Sequence, residues 1–196
     1  MKPTTLIIFF LVSFFSLSAQ SLSFDIILLG KKIGAVQAER VLLSDGIEKY
    51  TIRSNSYAKV LFTERQSEML QESIFSRGVL LSAHTMNKVD GVTEEIRVRK
   101  NGQQYIVDKK QEQLFIRDKI VHSAVWMYFH EPVNIQRIFS ERMGQFTTLS
   151  CISPGQYSYT VTDGATNVVK YRDGYPEEIE IKKGLGSVWM KRVKMP

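Results

Sequence analysis

The feature that most constrains this chain is a two-residue alternation of apolar and polar side chains, broken every several residues by a turn signal. Leu22, Phe24, Ile26 and Leu28 fall on one face of a first strand. Gly30-Lys31-Lys32 turns the chain, a second strand runs from Ile33 to Leu43, and Ser44-Asp45-Gly46 turns it back. Tyr50 and Ile52 then alternate with Lys49, Thr51 and Arg53. Period two marks a strand with one buried face, because successive side chains point to opposite sides of the sheet.

The same pattern continues through most of the chain. Ala58 to Phe75 reads as two strands with an irregularity between them; a helix through Val60, Leu61, Met69, Leu70 and Ile74 is the alternative. Val79 to Met86 is a strand. Val92, Ile96 and Val98 oppose Thr93, Glu95, Arg97 and Arg99, and Asn101-Gly102 predicts a type I′ hairpin into Tyr105 and Val107. The alternation fails between Ser123 and Pro132, where Ser123 suits the cap of a short helix over Ala124 to His130 and Pro132 would stop it. It resumes at Phe146–Ile152 and again at Tyr157–Val161. Asp163-Gly164, Asp173-Gly174 and Gly184-Leu185-Gly186 supply further turns before a last strand from Ser187 to Val193. Roughly a dozen strands joined by short turns must pair antiparallel, since parallel neighbours need long crossovers. So wide a sheet should curl to hide its edges. The expected fold class is all-β with little α: an antiparallel, strongly curved sheet forming an open or spiral β-barrel with one short helix.

The N-terminus carries a different signal. Lys2 precedes an apolar run from Leu6 to Phe15, broken only by Ser13, and Ser16-Leu17-Ser18-Ala19 follows. That is the order of a cleavable secretory leader, and the run is too short to span a bilayer as a helix. We expect residues 1–19 to be a signal peptide and residues 20–196 one β-rich domain. The mature protein should work in the periplasm or outside the cell, with no integral membrane segment. A lipid anchor is not expected, because no Cys follows the cleavage site.

Size and charge add bounds. Removing 19 of 196 residues leaves 177, enough for one domain with a real core. The single cysteine, Cys151, excludes an intramolecular disulfide. The net charge of +6 is spread without a run of five like charges, which reads as a solvated basic surface and gives no basic stripe for nucleic acid.

Several stretches resemble a family of uncharacterised exported bacterial proteins, many from Bacteroidetes-type genomes. They are Phe24-Asp25-Ile26 with Gly30-Lys31-Lys32-Ile33-Gly34, the run Phe75-Ser76-Arg77-Gly78-Val79-Leu80, the aromatic segment Ser123 to Pro132, and Tyr171-Arg172-Asp173-Gly174-Tyr175-Pro176. The resemblance covers nearly all of the mature chain. It implies a spiral β-barrel, broadly similar to periplasmic lipoprotein carriers. It implies no reaction and carries no catalytic residue onto this sequence.

The residues themselves offer little chemistry. Cys151 sits among strand residues and reads as a small hydrophobe. His84, His122 and His130 lack metal-ligand spacing, so no metal site is expected. Glu178 and Glu180 share a face with Lys182 and read as strand surface, whereas Glu94 shares a face with Val92, Ile96 and Val98 and is expected to point inward, unless it lies at the wet end of its strand or pairs with an Arg. Gly184-Leu185-Gly186 is no dinucleotide fingerprint. No catalytic residue and no cofactor are assigned. The candidate ligand-binding residues are Trp126, Tyr128, Phe129, Tyr157, Tyr159 and Trp189, which could line an apolar cleft on the concave face, against the plainer reading that they fill the core.

These readings favour an exported cell-envelope protein that is a non-enzymatic binding module for a lipid or apolar ligand, or for an envelope protein or glycan partner. A structural or interaction protein without ligand, and a hydrolase using Glu94 or a histidine, are the alternatives. The exported product should begin at Gln20, or at Ala19 if the cut falls after Ser18. Intact-mass measurement checks this, and a product that retains Leu6–Phe15 would refute the leader.

Overall fold

The computed structural model describes residues 18–60, 63–161, 164–184 and 186–193. All of the leader except Ser18 and Ala19 lies outside the described residues, as do Leu61, Asp163 and Leu185 of the segments named above. In chain order the strands are β1 (Ser18–Leu28), β2 (Lys31–Leu42), β3 (Ile47–Val60), β4 (Thr63–Ser76), β5 (Val79–Val89), β6 (Val92–Asn101) and β7 (Gln104–Lys109). There follow β8 (Glu112–Ile116), β9 (Arg137–Ser140), β10 (Gln145–Ser153), β11 (Gln156–Thr160), β12 (Thr166–Arg172), β13 (Tyr175–Lys183) and β14 (Gly186–Arg192).

All fourteen belong to one antiparallel sheet, ordered β8-β7-β6-β5-β4-β3-β2-β1-β14-β13-β12-β11-β10-β9. Two meanders are thus joined where the first and last strands pair, with Phe24 opposite Arg192 and Leu28 opposite Val188. The two free edges, β8 and β9, are consecutive in the chain. The sheet curls but its edges do not pair with each other, so the barrel stays open between them.

The described residues between Ala58 and Phe75 contain no helix; they belong to β3 and β4, which pair with each other and are each 14 residues long. Two turns shift by a residue. The first is Leu29-Gly30, both at positive φ, and the Asn101-Gly102 turn is in fact Gly102-Gln103. Positive φ at Gly102 alone fits a type II′ turn rather than type I′. The expected short helix is only a 3₁₀ turn, Trp126–Tyr128. Ser123 does accept the Trp126 N–H at 3.3 Å, as a cap would. The edges β8 and β9 have no alternation to read. The side chains of β8 are mostly exposed, whereas Ile138, Phe139 and Ser140 of β9 are buried on both faces.

Phe24, Val36, Tyr50, Ile52, Val98 and Val107 face the concave side and form its core. The convex side carries ion pairs across neighbouring strands, among them Lys49–Glu72 at 2.7 Å and Arg99–Asp108 at 3.7 Å. The link between β8 and β9 enters the concavity and fills it with Ile120, Val125, Met127 and Phe129, all within 5 % of full burial. Each such side chain contributes on the order of 1.5–3 kcal/mol. This link also spans the open side of the barrel: Leu80 N–H donates to Ile120 O at 3.0 Å and Phe139 N–H to His122 O at 2.9 Å.

Gly34 has a steric role at the β2–β3 contact. A Cβ there would lie 2.1 Å from the Asn55 carbonyl oxygen and 2.7 Å from Ser56 Cα. Backbone cannot give way as a side chain can. Gly34→Ala should therefore destabilise the protein by about 3 kcal/mol or more. A urea midpoint unchanged from wild type would contradict this packing.

Candidate functional site

The link across the lumen is held by a carboxyl group. Glu141, in the turn between β9 and β10, is 1 % exposed. Ser73 Oγ of β4 donates to its Oε1 at 3.1 Å, and Val125 N–H donates to its Oε2 at 3.4 Å. The Ser123 hydroxyl also bonds to it. Ser73 and Ser123 are themselves fully buried. Burial pushes the Glu141 carboxyl above its ordinary value, and the hydrogen bonds from Ser123, Ser73 and Val125 pull part of the way back. One group thus ties a barrel wall, the link and the β9–β10 turn together.

Beside this anchor lies a cavity of about 180 Å3, lined chiefly by Met69, Tyr128, Tyr159, Asn167, Ile179 and Met190. Cross-strand pairing explains one wall: Tyr159, Asn167, Ile181 and Val188 stand in register on β11 to β14. Gln71, Thr85, Ile96 and Lys109 form the corresponding row on β4 to β7. The turn carrying Glu141 crosses between the rows, where a Cβ on Gly144 would meet Val107 Cγ1 at 2.7 Å. A neighbouring groove of about 440 Å3 is lined by Thr85, Lys109 and Lys110, among others. Arg142 and Lys183 line both spaces. Burial raises the Tyr128 and Tyr159 hydroxyls, which keeps both in the donor form.

The structure separates the six aromatic candidates. Tyr128 and Tyr159 meet at the cavity. Phe129 is core, its ring 5.8 Å from that of Tyr50. Trp126 stacks on His130 with centroids 4.4 Å apart. Tyr157 donates to Glu131 at 2.9 Å beside a different hollow of about 570 Å3. Trp189 does not lie on the concave face: Met190 next to it faces the core, so Trp189 points outward, where Lys191 Nζ sits 5.8 Å from its ring.

Other expectations shift as well. Cys151 is exposed rather than buried, because β10 runs past the end of the filled lumen, and its thiol donates to Ser153 O at 3.4 Å. Glu94 lies at the wet end of β6, paired with Lys110 at 2.7 Å rather than with an Arg, and that ammonium holds its carboxyl below the usual range. His84 lies near Glu95 on the convex face, while His122 and His130 flank Trp126. Among the described residues no group of three or more His, Cys, Asp or Glu could hold a metal ion. Glu141 and Arg142 escape a reading of the sequence because Ser140-Glu141-Arg142-Met143-Gly144 looks like any polar turn. Only the docking of that turn inside the lumen buries the carboxyl.

The fold is thus an open, nearly all-β barrel, filled from within by its own link. The chain belongs to the DUF6134 family, a domain of unknown function, which matches residues 24–193. No curated protein matches it significantly. A crystal structure of a β-barrel-like protein of the DUF1849 domain of unknown function from Brucella abortus is similar. Its TM-score is 0.56 at 12 % identity, over 89 % of this chain and 95 % of that one. At that identity the likeness is one of fold.

A carboxyl raised by folding contributes stability below its ordinary value of 4.5 and loses that contribution as pH climbs through the raised value. Wild type should therefore lose melting temperature relative to Glu141→Gln as pH rises above 4.5. Glu141→Ala should cost about 1–3 kcal/mol, since it strands the buried donors. Parallel melting curves for wild type and Glu141→Gln across pH would show that the carboxyl is not held neutral.

Proposed function

We propose that this is an exported protein of the cell envelope that binds a small apolar or amphipathic molecule in the luminal cleft. The observation that carries the reading is adjacency: a mostly apolar, tyrosine-lined cavity and a polar groove share two lining residues, Arg142 and Lys183. Small-molecule sites are concave and mostly apolar, with a few convergent polar groups. Export is supported by the leader pattern of residues 1–19, and no described helix is long and apolar enough to cross a membrane. The kinship with lipoprotein carriers belongs to the same proposal, with one physical limit. The cavity of about 180 Å3 is smaller than the ~300–1,000 Å3 of ordinary ligand pockets, so it takes the end of a chain and leaves the rest in the groove.

The hydrolase alternative has weaker support. Glu94 is exposed and ion-paired, and Glu141 contacts hydroxyls and a backbone amide inside the core rather than a nucleophile on the groove.

Ala165 is buried against the cavity, and a phenyl ring there would fill it. Ala165→Phe should weaken binding of an environment-sensitive apolar dye by about tenfold or more while leaving the β-type circular dichroism intact. Wild type that binds no dye, and yields no apolar molecule to solvent extraction and mass spectrometry, would remove the binding role. Equal dye binding by both proteins would move the site elsewhere.

A further inference from the structure

We propose that the cleft selects a single-chain anionic amphiphile, tail inward, with its carboxylate or phosphate head held at Arg142; this rests on the luminal-cleft reading above. The first support is the polarity gradient. The inner space is walled mainly by Met69, Tyr128, Ile179, Ile181 and Met190, and the outer one carries five cations, Arg65, Lys109, Lys110, Arg142 and Lys183, against Glu94 and Glu95. The second is the pairing of charges at the mouth. Glu94 is matched by Lys110 at 2.7 Å, Glu95 by Arg97 at 2.7 Å, and Arg65 by Asp90 at 2.9 Å. No described carboxylate lies within ion-pair distance of Arg142, although its charge reaches Glu94, and it lines both spaces. A guanidinium there presents a planar donor fork that fits a carboxylate or phosphate.

The third support is independent of charge. Thr85 is 2 % exposed, lines the groove from the inward-facing row, and its Oγ1 has no hydrogen-bond partner. A buried hydroxyl left unmatched is costly, and an anionic head group in the groove would accept from it. On the opposite wall Asn167 gives its Nδ2–H to Tyr159 at 2.9 Å, while its buried Oδ1 is unmatched. An amide oxygen only accepts, so Thr85 and not Asn167 is the unmatched group that suits an anionic head. The small inner volume selects against two chains.

The test compares dodecanoate, dodecyl phosphate, dodecanol, acetate and inorganic phosphate by calorimetry on the mature chain. Dodecanoate or dodecyl phosphate should bind about tenfold or more tightly than dodecanol. Arg142→Gln should bring acid and alcohol to within about twofold of each other, chiefly by weakening the acid, and Thr85→Val should narrow the gap in part. Because Arg142 is exposed, its replacement leaves the core untouched. Equal affinity of acid and alcohol for wild type would overturn the head-group assignment and leave the cleft reading standing. Acetate or phosphate binding as tightly as the amphiphiles would show an anion site with no tail. If none of the amphiphiles binds, the cleft reading itself falls.

Discussion

The concave face of a curled sheet has to be covered, and among the described residues no second sheet or α-helix covers it. The chain fills the space with its own link between the two sheet edges. Ile120, Val125, Met127 and Phe129 displace water from the lumen, and the same segment bridges the gap between β5 and β9 through backbone hydrogen bonds. A ribbon with its ends left apart would otherwise expose a long apolar surface and two unpaired edges. The barrel is thus stoppered rather than closed.

Glu141 is the costly part of that arrangement. Its carboxyl is buried, and among the described residues no cation forms an ion pair with it. It is tolerated because burial favours its neutral form and because Ser73, Ser123 and the Val125 amide all donate to it. Two segments, β4 through Ser73 and the link through Ser123 and Val125, converge on it. Hydrophobic burial has no preferred direction, so such a polar anchor is what sets how the link sits within the lumen. The cleft beside it is the space the link leaves over, and its position follows from where this anchor falls.

The similarity to a DUF1849 structure at 12 % identity shows that this arrangement of strands tolerates nearly complete replacement of side chains. A curved meander needs an apolar stripe on one face and turns at suitable intervals, which many sequences satisfy. Shared fold therefore carries no function from one chain to the other. The proposed binding would depend on Arg142, Thr85, Tyr128 and Tyr159 of this chain alone.

Local pattern was enough to identify the antiparallel curved sheet, most hairpins and the break at Ser123 to Pro132. Each depends on near neighbours: period-two burial, a residue able to take positive φ, a proline that cannot continue a turn. The edges β8 and β9 were hidden because one is solvated on both faces and the other buried on both. Of the six aromatic residues, only Tyr128 and Tyr159 meet at the cleft, since a strand's alternation says which residues share a face but not what that face packs against. Trp189 on the convex side, Cys151 beyond the filled lumen and Glu94 at a wet strand end show the same limit. What sequence alone determined was the strand ribbon and its inward stripe. Tertiary structure alone decided that a polar turn would dock inside the barrel, bury Glu141 and leave Arg142 at the mouth of a cleft, because those outcomes depend on contacts between segments that no local pattern brings together.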